Sequence, residues 1–359
     1  MKRLLISLIC FLFFPHSVFG ASFIRGAWVA HWSDSKRIET VADKLESFNE
    51  VSPLIYELGN DGTILRMVSL TSGPWSDLLS SLSDRGTTII PTILAGDKEL
   101  IHSMLSDEQV RGAHIEALRS LVVSNKYAGI DIDYEGKYLN DKNLFSIFIS
   151  DLAKVLHSEG KMLSCTIEPR TTDSPHAHVP EKTLFIWAND YNVLGNECDV
   201  VRIMVYDHYF LTRGAHSWTQ PIKNFGGLHA DNEWTKSVLQ YALRYIPKEK
   251  IILGVPTYGY EFTYKDTVRG RSFTRSNTLS YEKALSIQKM YGAKLQRLTK
   301  GEQYFTYKKA EVKKVVILAD AKSSEKKIQL AKTLGIKGVY FFKVEGTEDP
   351  LLYATLLKY

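Results

Sequence analysis

Three cysteines in 359 residues, Cys10, Cys165 and Cys198, are too few to staple a disulfide-rich fold, so stability has to come from a hydrophobic core. Proline and glycine are thinly spread, and no Pro/Gly/Ser-rich stretch divides the chain. Charge of one sign is also missing. With 45 basic against 40 acidic residues the formal excess is +5, too small to argue for a nucleic-acid partner. The one long apolar run, Leu4–Phe14, is shorter than the ~20 residues that cross a bilayer. No G-x-G-x-x-G follows the first candidate strand and no G-x-x-x-x-G-K-[ST] occurs, which removes support for nucleotide-binding α/β folds.

The first twenty residues have the plan of a secretory signal peptide. Lys2 and Arg3 precede the apolar run, Pro15 breaks it, and Val18-Phe19-Gly20 offers a cleavage site. Cleavage near Gly20 leaves residues 21–359 as one catalytic domain, secreted or periplasmic, with no integral membrane segment, and expected to be a monomer. Cys10 leaves with the leader. Cys165 and Cys198 lie beside candidate strands; an oxidising compartment permits a bridge between them, and the favoured expectation is two buried free thiols.

What recurs is a short β-branched strand followed by a longer amphipathic stretch. The strands fall at Arg25–Trp32, Pro53–Leu58, Thr87–Leu94, Gly129–Tyr134, Met162–Glu168, Val200–Tyr206, Ile251–Tyr258 and Lys337–Phe342. Helical patterns include Asp107–Ser124, Asn143–Glu159, Glu233–Tyr245 and Ser324–Leu334. Ser323-Ser324-Glu325 reads as the last one's cap, and Gly335 as its stop. Eight strands alternating with helices predict an α/β fold, a (β/α)8 TIM barrel. The long gap between strands 7 and 8 holds short strands at Ala293–Leu298, Gln303–Lys308 and Val315–Ala319 and a helix at Tyr281–Tyr291. It is expected to be a small α+β insertion on the rim, about residues 260–320.

The chemistry centres on Gly129-Ile-Asp131-Ile-Asp133-Tyr-Glu135. A strand's period of two puts the three acids on one face, which in a barrel points inward at the end where active sites assemble. Crowded carboxylates cannot all ionise, so at least one keeps its proton to higher pH. That suits an acid which must protonate a leaving oxygen. Glu135, at the strand's end, is the candidate acid, with Asp133 below it and Asp131 deeper. A carboxylate site for Mg²⁺ or Ca²⁺ is the alternative.

These residues resemble glycoside hydrolase family 18, the family of chitinases and cortex-lytic N-acetylglucosaminidases. Its strand-four pattern D-x-x-D-x-D-x-E is matched by Asp131, Asp133 and Glu135, with Ala128 replacing the first acid. Met204-Val-Tyr206-Asp207 resembles the M-x-Y-D element of strand six. Leu253-Gly-Val-Pro256-Thr-Tyr258-Gly259 resembles that of strand seven. Phe342 stands where the family usually has Trp. Ser52-Pro-Leu-Ile-Tyr56-Glu, Asn60-Asp-Gly62 and Lys250 to Tyr260 look most like the bacterial spore-cortex branch.

The resemblance implies a glycosidase cutting β-1,4 bonds of N-acetylglucosamine-containing polymers, peptidoglycan or chitin, by a retaining, substrate-assisted route. It implies no metal or organic cofactor. In it Glu135 is the acid and base, Asp133 orients the substrate acetamide, Asp131 holds or shares a proton with Asp133, and Tyr206 donates to the acetamide carbonyl. Asp207, Met204, Tyr258, Phe342 and Trp28 are expected against the sugar. An inactive lectin on the same barrel is the alternative function. Trp28, Trp32, Tyr56, Trp218 and Tyr258 suit a sugar cleft or the core. His176 and His178 suit an exposed loop or a metal pair, and His208 the cleft rim. Glu168 and Arg170 suit an ion pair or substrate contacts. Lys308 to Lys314 suits a solvated face or weak attraction to anionic polymer.

Overall fold

The computed structural model describes residues 23–175, 181–208, 225, 228–268, 270–299 and 301–359. The leader, His176, His178 and Trp218 lie outside these residues. Eight parallel strands form the barrel: β1 (Ile24–Ala30), β2 (Glu50–Leu58), β3 (Thr92–Ala95), β4 (Gly129–Tyr134), β5 (Met162–Ile167), β6 (Val200–Ile203), β7 (Ile251–Pro256) and β8 (Gly338–Phe342). They pair in chain order, and β1 bonds to both β8 and β2, so the sheet closes without a free edge. Helices such as Glu108–Ser124 and Lys142–Ser158 bury apolar stripes against the outside of the barrel.

Three boundaries differ from the periodicity for visible reasons. The third predicted strand is broken at Pro91, which has no N–H for the ladder, leaving Thr88–Ile89 as a separate short piece. The sixth ends three residues early. Val205 N–H turns back to the Ile203 carbonyl and Tyr206 N–H to the Met204 carbonyl, which lifts this segment out of the sheet. The helix Ala321–Leu334 starts earlier than expected, capped by Asp320 with Ser323 completing the reciprocal box. It stops at Gly335, which takes φ +66°.

The two cysteines correct an expectation. Cys165 and Cys198 form a disulfide, with Cα atoms 6.2 Å apart, rather than two free thiols. Cys165 points out of β5 between the inward Ser164 and Thr166. Cys198 follows the helix Tyr191–Glu197 that leads into the neighbouring β6. The parallel pairing of β5 with β6 brings the two together, and 33 residues of sequence separation hide that.

Between β7 and β8 lies a five-stranded antiparallel sheet with the helix Tyr281–Met290. Its first hairpin, Gly259–Thr267 with Gly270–Leu279, was not anticipated, although Tyr260, Phe262 and Tyr264 alternate as a strand requires. On the strand Val312–Leu318, Val315 and Ile317 pack with Phe262 and Phe273, while Val316 and Leu318 pack with Ala284 of the helix.

Candidate active site

The barrel floor is polar and closed. Asp131 is fully buried and accepts from Thr92 Oγ1 (2.9 Å), Ser164 Oγ (2.5 Å) and Thr166 Oγ1 (2.9 Å). Arg202 Nη1 stands 3.1 Å from it, and the same guanidinium holds Glu50 at 2.9 Å and Ser52 at 2.9 Å. Tyr340 lies beneath the guanidinium, 4.0 Å from it. Gly26 leaves room for that ring, since a Cβ there would come within 1.8 Å of it. A buried anion needs such donors, and Asp131 has them on both oxygens. With its acceptor capacity taken by three hydroxyls and a cation, Asp131 is poorly disposed to bind a metal.

Above the floor the supply of donors ends. Asp133 is buried and its Oδ1 has no hydrogen-bond partner among the described residues. Burial first, then the charges of Glu135, Asp131 and Glu168, hold its carboxyl well above the ordinary range. Glu135 is half-buried at the mouth. Burial, reinforced by Glu168 and Asp207 and opposed by Lys137, pushes it up to about 7. The three acids are thus graded, from a carboxyl with donors on both oxygens to an acid that keeps its proton near neutrality.

Facing it stands the turn after β6. Tyr206 is buried, stacked on Phe342 at 5.8 Å and edge-on to Tyr258 at 6.1 Å. Burial raises its hydroxyl well above the phenol range, so it remains a proton donor. Asp207 takes a left-handed conformation, φ +61°, which an Asp tolerates better than most residues. Its Oδ1 accepts from Tyr258 (2.6 Å) and Tyr260 (2.7 Å). Burial raises its carboxyl and these two hydroxyls partly offset that. A cleft of about 380 Å³ opens here, lined by Asp207, Tyr258, Tyr260, Phe342, Lys343 and the half-exposed Trp32.

Of the substrate-facing candidates, Asp207, Tyr258 and Phe342 line this cleft, and Met204 packs beneath with Tyr206. Trp28 does not. It is 1% exposed inside the barrel, edge-on to Tyr340 at 4.5 Å, and supports Phe342 from below at 6.1 Å. Tyr56 is likewise core, its hydroxyl bonded to Tyr127. His208 stacks on Trp234 at 4.2 Å. Arg202 and Tyr260 were missed as site-building residues, and Glu168 was singled out without its partners. The signals were a lone Arg in the apolar run Val200-Val-Arg-Ile, and Ser164, Thr166 and Glu168 alternating on a buried strand.

Comparison with known proteins shows the family and the fold. The family description "Glycosyl hydrolases family 18" matches residues 80–346, and the chain belongs to that family. The protein is a glycosidase of the chitinase and spore cortex-lytic type. Over 311 residues it is 27% identical to the cortical fragment-lytic enzyme of Bacillus subtilis, covering 83% of this chain and 67% of that one. To the uncharacterized glycosylase YvbX of the same organism it is 26% identical over 264 residues, 73% and 70% of the two chains. The barrel superposes on the spore cortex-lytic enzyme SleL of Bacillus megaterium with TM-score 0.74 at 20% identity, over 92% of this chain and 72% of that one. It superposes on a chitinase from Chromobacterium violaceum with TM-score 0.75 at 21% identity, over 94% and 98%.

Proposed function

We propose that the protein hydrolyses β-1,4 bonds next to N-acetylglucosamine by a retaining mechanism in which the substrate's own acetamide is the nucleophile. The observation that carries this reading is the graded ladder. A Glu135 that keeps its proton near neutrality stands above an Asp133 whose buried Oδ1 lacks a donor among the described residues, with Tyr206 and Asp207 within electrostatic reach and Asp207 bordering the cleft. A sugar on Phe342 presents its acetamide to that gap. Asp133 Oδ1 accepts the acetamide N–H, and the Tyr206 hydroxyl donates to the acetamide oxygen.

The acetamide oxygen attacks the anomeric carbon, forming a C–O bond as the glycosidic C–O bond breaks. Glu135 gives its proton to the leaving oxygen. Tethering the nucleophile removes the entropy cost of a separate encounter. The cationic ring that forms is stabilised by Asp133, with Asp131 below it. This revises the role the resemblance implied for Asp131. Its oxygens already accept from three hydroxyls and face Arg202, so its part is to hold the floor beneath Asp133. Glu135, now a carboxylate, takes a proton from water, which opens the ring on the same face.

Peptidoglycan is the first substrate to test and chitin the second, because cortical fragment-lytic enzymes and chitinases both stand among the relatives. The leader pattern and the Cys165–Cys198 bridge support an oxidising location outside the cytoplasm. Residues 21–359 incubated with purified peptidoglycan and with chitin oligomers, products read by mass spectrometry, test the reading. Reducing N-acetylglucosamine ends absent with Glu135→Gln are the expected result. Sugar binding with no products from either polymer would replace it by the lectin.

A further inference from the structure

The structure assigns a partner to the acid that the ladder on β4 does not contain. We propose that Glu168 at the end of β5, paired with the buried Lys137, positions Glu135 and sets the pH range over which it donates its proton. This inference rests on the glycosidase reading of Glu135.

The placement follows from register. Strands β4 and β5 pair Asp131 with Ser164 and Ile132 with Cys165, and continuing by three residues sets Glu135 opposite Glu168. The alternation that aims Ser164 and Thr166 at Asp131 aims Glu168 inward at the level of the acid. Glu168 is 3% exposed. Its Oε1 accepts from the backbone N–H of Gly136 at 3.1 Å, fastening the residue next to Glu135. Gly136 takes φ +72°, so the chain turns sharply there and needs such a tie. Its Oε2 accepts from Asn189 Nδ2 at 2.7 Å. Lys137 Nζ, buried against the Phe145 ring, lies 3.9 Å from the same oxygen and also donates to the Tyr134 carbonyl. Arg170 is not the partner; its guanidinium lies over Tyr191 at 4.2 Å.

Glu135 is therefore faced by Asp133 on its own strand, Glu168 from β5, Lys137 from the following loop, and Tyr206 and Asp207 from the turn after β6. Glu168 and Lys137 act on it with opposite signs. A pair that served only to tie down the loop would change stability when altered and leave the titration of Glu135 in place.

The variant Glu168→Gln separates the two roles. Its amide oxygen still accepts from Gly136, and its NH₂ meets the otherwise unpartnered Asn189 Oδ1 once that amide turns over. Only the charge is lost, and Lys137 is left unbalanced. Carboxyl-¹³C glutamate NMR, with Glu135 assigned by Glu135→Gln, reads the titration directly, and kcat/KM against pH reads it through turnover. In Glu168→Gln the Glu135 titration and the alkaline limb are expected to move down by about one pH unit or more. In Lys137→Met both should move up. That opposite response keeps the test open should Glu168→Gln fail to fold. Titrations of Glu135 that stay within experimental error of wild type in a folded variant overturn the inference. Absence of turnover on every glycan overturns the function instead, and the NMR titration still decides the role of Glu168.

Discussion

Asp131 and Glu135 stand four residues apart on one strand edge and live in opposite surroundings. At the floor Asp131 shares Arg202 with Glu50 and has three hydroxyls besides. At the mouth the Glu135 carboxyl has no hydrogen-bond partner among the described residues, and burial, reinforced by Glu168 and Asp207, pushes it up to about 7. The barrel buries acids at both levels and makes opposite use of them. Donors and a cation surround the lower acid on both oxygens, while withholding them makes the upper one a reservoir for a proton.

The sharpest way to break this contrast is Glu135→Gln. Loss of a general acid should lower kcat by about 10²–10⁴-fold while the urea midpoint stays put or rises. Arg202→Met tests the floor. It leaves Glu50 and Asp131 buried without their cation and should cost about 3–5 kcal/mol in urea denaturation. Unchanged stability would mean that the floor does not depend on charge balance.

A third test uses pH. Glu135 holds its proton more tightly when folded than at the ordinary 4.5, and so does the buried Glu302, also pushed up to about 7 by burial. Raised folded-state values mean that their contribution is best at low pH and is lost as pH rises from near 4.5 through about 7. Glu135→Gln should flatten that decline in part, with Glu302 accounting for a remainder. A variant profile that superposes on the wild type would place Glu135 in water, contrary to the contrast drawn here. The smallest effect is expected from Phe342→Trp. A wider ring on the cleft floor should lower KM by about twofold to threefold with kcat little changed, a fraction of a stacking energy.

Much of this site was legible before folding because strands impose a simple rule. Period two places Asp131, Asp133 and Glu135 on one face without knowledge of neighbours. The ordered elements at Met204–Asp207 and Leu253–Gly259 then identify the strands around them. Misplaced residues were those whose surroundings come from elsewhere. Trp28 has an aromatic side chain suited to sugar stacking, but its position opposite Tyr340 and under Phe342 makes it core. Glu168 was noticed beside Arg170, yet its partners come from residues 32 and 31 positions earlier in the chain, at Gly136 and Lys137, and from Asn189.

Pattern along the chain is enough for the kind of fold, the number of barrel strands and the face on which the acids stand. Those depend on hydrophobic period and on local geometry that neighbours along the chain already share. Packing across the barrel settles which acid keeps its proton near neutrality, which aromatic meets the cleft, and that Cys165 joins Cys198. Each of these depends on distances across the barrel, and a carboxyl's protonation is set by donors, charges and solvent that chain order does not list.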